Sequence, residues 1–144
     1  MVEVLIAGVL LASAMAAVSR ISVAALSGSA TLSDRARIEA AINDNIQSLQ
    51  KEDSYYTENW IRENEGEESF EDACKKPAEA LRNQLESVAP KPRIEGISRT
   101  LDTEKVPGIL TVTYNFQGPE QQIEDEYRVI EMAPNFAAQC YSTQ

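Results

Sequence analysis

The sequence predicts an α+β fold: a long N-terminal helix, apolar in its first half and amphipathic in its second, packed on a small antiparallel sheet of about three to four strands. Three observations carry that reading. Residues 4–19 hold no charge, apolar residues recur at three- and four-residue steps from Leu32 to Leu49, and alternating apolar runs separated by Pro-Gly turns follow Arg93. A chain of 144 residues has room for one small domain with one appendage. The expected division is an apolar membrane or filament-core helix over 1–30 and an acidic globular head over 31–144, which includes the amphipathic half of the helix.

The first segment reads VLIAGVLLASAMAAVS over 4–19 and, past Arg20, continues uncharged to Asp34. At about 1.5 Å per residue the charge-free run spans about 24 Å, and the flank to Leu26 extends it to the ~30 Å of a hydrocarbon layer if Arg20 snorkels. Secretory signals place positive charge before the apolar run, whereas Glu3 puts a carboxylate there. A carboxylate at the start of an apolar helix is costly in lipid unless paired or held at the interface. Two accounts stand: Glu3 has a charged partner, or it sits in the headgroup layer and favours the positive end of the helix dipole. Ala7, Gly8, Ala12, Ser13, Ala14, Ala16 and Ala17 permit close helix approach.

Met-Val-Glu-Val-Leu-Ile-Ala followed by a small-residue-rich apolar helix resembles the start of mature type IV pilins and type II secretion pseudopilins, which begin Phe-Thr-Leu-Ile/Val-Glu. The motif covers about the first 25 residues. In that family the glutamate neutralises the N-terminal amine of a neighbouring subunit during assembly, and by motif this role falls on Glu3, with Met1 standing where the family has leucine. The resemblance implies a homopolymer, an inner-membrane stage followed by a cell-surface filament, and a prepilin peptidase with inner-membrane assembly machinery as partners. Met1, Glu3, Gly8 and Arg20 are the candidate assembly residues.

After Ser27-Gly28-Ser29, a weak point for a helix because of the glycine, Leu32, Ile38, Ala41, Ile42, Ile46 and Leu49 mark one face among charged positions. A continuous helix to about residue 52 would be near 78 Å long, too long for one compact domain. The acidic, aromatic stretch 53–76 reads as a connection with short helical turns. Its carboxylates Glu63, Glu65, Glu67, Glu68, Glu71 and Asp72 raise calcium, but match no EF-hand spacing, and a solvated acidic face is favoured. Tyr55, Tyr56, Trp60 and Phe70 are expected to pack on the head rather than form an adhesive patch.

Pro77 opens a short helix with Ala78, Leu81, Leu85 and Val88 as its stripe, ended by Pro90 and Pro92. Strand-like runs follow at 94–101, 109–116 and 123–132, with Val106-Pro107-Gly108 and Gln117-Gly118-Pro119 between them. In the middle run Leu110, Val112, Tyr114 and Phe116 should face the helix stripe, and Ile109, Thr111, Thr113 and Asn115 the other side.

Composition bounds the function. A net charge of −10 repels phosphate backbones, so no nucleic-acid contact is expected of the acidic head. Without a histidine, the commonest neutral-pH acid/base group and metal ligand is missing. No enzyme activity, cofactor or metal site is expected. Cys74 and Cys140 are too few for a zinc site and form no CxxC pair. A disulfide closing roughly 65 residues is worth about 4 kcal/mol and belongs in an oxidising compartment; two separate buried thiols are the other reading. The expected function is a structural subunit of an extracellular type IV pilus-like filament, against a membrane-anchored extracytoplasmic binding protein or a secretion pseudopilin. Adhesion, motility, DNA uptake and secretion share this subunit physics.

Overall fold

The structure, a computed structural model, describes residues 2–119 and 125–141, without the side chains of 2–14, 16–25 and 27. Two compact units cover Met1–Arg37 and Ile38–Gln144. The described part of the first unit is helical and belongs to α1 (Val2–Tyr55), which continues through Gly28 without a break. Leu26 and Leu32 there are exposed. The stripe expected to pack on the sheet, Ile38 to Leu49, supplies Ile38, Ile42, Ile46 and Leu49 to the core, while Leu32 ahead of it is exposed. Three- and four-residue spacing marks a helix face; it does not say what covers that face.

In the second unit the rest of α1 is followed by α2 (Glu58–Asn64), α3 (Glu67–Lys75), α4 (Pro77–Val88), β1 (Ser98–Val106), β2 (Ile109–Phe116), β3 (Glu126–Met132) and a closing 3-10 turn, η1 (Asn135–Tyr141). The chain is thus α+β, with three strands in the antiparallel order β1-β2-β3. Ile42 and Leu49 of α1, Leu81 and Leu85 of α4, and Leu110, Val112 and Tyr114 of β2 are all fully buried in one cluster. A central strand flanked on both sides and covered on one face buries the most apolar area, and β2 accordingly holds the alternating residues.

Local chemistry sets the element ends. Thr57 caps α2 by accepting a hydrogen bond from the Trp60 N–H at 3.3 Å. Gly66, at φ +99°, turns the chain from α2 into α3 while its N–H bonds the Ile61 carbonyl. Pro77 occupies the first turn of α4, where its missing N–H costs nothing. Gly108, at φ +76° after Pro107, gives the β1–β2 hairpin the left-handed residue that a type II turn needs. Just before it the register slips: Asp102 pairs Thr111 and Val106 pairs Ile109, so β1 bulges. The Asp102 carboxylate accepts from the Glu104 N–H at 2.8 Å within that bulge.

Four strand and helix details differ from the sequence reading. Residues 94–97 form a turn with Gly96 at φ +86°, so β1 starts later and ends later than the apolar run suggested. β3 starts at Glu126, and Ile123 lies outside the described residues. Val88 is 46% exposed and Ala89, one residue on, takes its place in the core. Thr111 is buried at 2% exposure with an unpartnered hydroxyl, although alternation put it on the open face.

Candidate functional site

Of the expected assembly residues, Met1 lies outside the described residues, and Glu3, Gly8 and Arg20 lie in α1 with side chains outside the description. Among the described residues no helix is long and apolar enough to cross a membrane. Cys74 and Cys140 are joined by a disulfide, with Cα atoms 5.6 Å apart, which ties η1 to α3.

Around that link the C-terminal turn is fastened at several further points. Phe136 is fully buried, edge-on to Tyr56 with centroids 5.3 Å apart, and also edge-on to Phe70 at 6.4 Å. Gln139 accepts from the Glu58 N–H at 2.9 Å, and the Asn135 N–H donates to Asp53 at 3.1 Å. Burial pushes the Asp53 carboxyl up from its ordinary range, and that hydrogen bond partly offsets the rise. Arg62 lies 4.5 Å over the Phe70 ring and pairs with Glu58 and Glu67, so part of the acidic stretch is an ion-pair and cation–π lid on the aromatic cluster. The expected packing of Tyr56, Trp60 and Phe70 holds, whereas Tyr55 is 60% exposed.

Beside the cluster lies a cleft of about 440 Å³ lined by Tyr56, Glu65, Asp72, Lys76 and Glu79 among others. Burial, and then the neighbouring Glu65 carboxylate, pushes the Tyr56 phenol up to about 12. Lys75 pairs with Asp72 at 2.6 Å and Lys76 with Glu79 at 3.0 Å, so the carboxylates here are largely answered by lysines. Among the described residues no three Cys, Asp or Glu groups converge on a metal position.

A second polar assembly went unseen in the sequence. Asn45, 4% exposed on α1, donates to the Pro90 carbonyl at 2.8 Å and accepts at Oδ1 from Tyr114 at 2.9 Å and from Arg99 at 3.0 Å. Arg99 also donates to the Pro90 carbonyl at 3.0 Å. Burial lowers the Arg99 pKa and raises that of Tyr114 to about 12, with the Arg99 charge opposing the second shift. This node joins α1, the α4–β1 connection, β1 and β2. Farther along the sheet, Arg128 of β3 pairs with Glu39 of α1. Next to Arg99 a groove of about 620 Å³ opens along β1.

Such an arrangement fastens a helix to a sheet and a C-terminus to its domain. Compared with protein-family models, with curated proteins and with solved structures, the chain matches none.

Proposed function

We propose that this chain is a structural subunit of an extracellular type IV pilus-like filament, polymerising through its N-terminal helix, and that it is not an enzyme. The observation that carries the reading is Glu3 at the head of the charge-free, Ala- and Gly-rich run 4–19. In a low-dielectric bundle of such helices an unpaired carboxylate costs several kcal/mol, and pairing with an N-terminal amine of the next copy removes that cost and sets register. Gly8 and its small neighbours let helices approach, and Arg20 ends the charge-free run 4–19. The disulfide-fastened second unit supports the reading by suiting an oxidising, extracytoplasmic setting. A peptidase that processes the precursor and an inner-membrane assembly platform are the implied partners, with an inner-membrane stage before assembly.

Replacing the carboxylate tests this. Glu3→Ala abolishes or strongly slows filament formation while circular dichroism and the disulfide show the second unit still folded. Filaments from Glu3→Ala at the normal yield contradict the role of Glu3. Wild-type protein that stays monomeric in detergent and in its membrane favours an anchored binding protein instead.

A further inference from the structure

β1 and β3 are the outer strands of the sheet, and among the described residues neither has a strand on its outward side. Each edge therefore offers alternate backbone N–H and C=O groups to whatever lies beside it. Along β1 the groove of about 620 Å³ is lined by residues 97–101 together with Glu86 of α4 and with Ala89 and Lys91 just past its end. A groove between an edge strand and a helix is where an extended segment adds as a further strand. Ala89, Ile97 and Leu101 supply its apolar lining.

Charge narrows the occupant. Arg82 answers Glu86 at 3.0 Å and the Arg99 guanidinium is taken up by Asn45 and the Pro90 carbonyl, which leaves Lys91 as a cation at the groove on a chain whose net charge is −10. The β3 edge has the opposite character: Arg128 is taken up by Glu39, and Glu131 remains exposed. Tyr127 and Val129 of the same strand are 63% and 51% exposed, apolar area that an unpaired edge normally avoids. We infer that the groove beside β1 is a docking site for β3 of a second copy of this chain, continuing the sheet from one copy to the next. Because two different surfaces meet, the contact is head-to-tail and propagates. The inference rests on the proposed self-assembly and adds to it a contact between the folded second units.

Hydrogen exchange on full-length protein, as filaments and as dilute and concentrated detergent samples, tests it. In filaments the amides of 98–101 and 126–131 slow together by about tenfold or more relative to dilute protein. Lys91→Glu reduces that protection and adding Glu131→Lys restores it. Filaments in which neither edge, or only one, gains protection overturn the inference and leave the filament reading standing. If the wild type forms no filaments but both edges slow as detergent samples are concentrated, the docking inference stands and the filament reading falls; no slowing there either overturns both.

Discussion

The Tyr114 hydroxyl, in the middle of β2, donates to Asn45 Oδ1 on α1 at 2.9 Å, and the same oxygen accepts from Arg99 of β1. Both Tyr114 and Asn45 are buried, so this hydrogen bond fixes where the helix meets the sheet as well as contributing to stability. Asn45→Ala leaves the Tyr114 hydroxyl and the Arg99 guanidinium short of an acceptor and should cost about 3 kcal/mol in urea unfolding. Tyr114→Phe should cost only about 1 kcal/mol, because Arg99 still serves Asn45. Additive losses in the double variant would contradict the coupling.

Removal of the disulfide as Cys74→Ala with Cys140→Ala should lower stability by about 4 kcal/mol, since it releases a 66-residue closure. Limited proteolysis is expected to cut first within 135–141, the turn that the bond holds to α3. Unchanged urea midpoint and cleavage pattern would show that Phe136 and the Gln139 and Asn135 hydrogen bonds suffice.

Alkali should destabilise the protein through Tyr56 and Tyr114, both with folded pKa values of about 12. A free phenol ionises near pH ~10. The folded state therefore keeps protons that the unfolded chain has lost, and stability falls as pH rises from about 10 to 12. Absorbance at 295 nm should show Tyr56 and Tyr114 titrating late, and Tyr114→Phe should remove one late step. Asp53 acts in acid with the same sign: its raised folded pKa means that its contribution improves as pH falls toward 3.8, an effect that Asp53→Asn abolishes.

Two glycines should respond oppositely to alanine. Gly108 holds φ +76°, so Gly108→Ala strains the hairpin and destabilises by about 1 kcal/mol. Gly28 is helical and an added Cβ meets nothing within 4 Å, so Gly28→Ala favours helix by about 1 kcal/mol. Far-UV circular dichroism on heating checks both, and equal losses would contradict the helical assignment at Gly28.

The parts that were legible in the sequence are those with a strong period or a strong breaker. β2 matched its alternating run from Ile109 to Phe116, and Pro77 marked the start of α4. Val88 was misplaced because periodicity names a face without naming its cover. Gly96 moved the start of β1 by taking a positive φ inside an apolar run. Asn45, Arg99, Gln139 and Phe136 gave no local signal: Asn45 and Tyr114 lie 69 positions apart, and only the fold brings them together. The buried Thr111 hydroxyl left without a partner has no account in the described packing.

Electron microscopy of material sheared from cells that make this protein, with mass spectrometry of the subunit, tests the central claim most directly. The proposed function predicts thin filaments composed of this chain in the sheared fraction and their loss in the Glu3→Ala strain. Wild-type cells that carry the protein only as membrane-bound monomer, with no filament containing it, would contradict the claim.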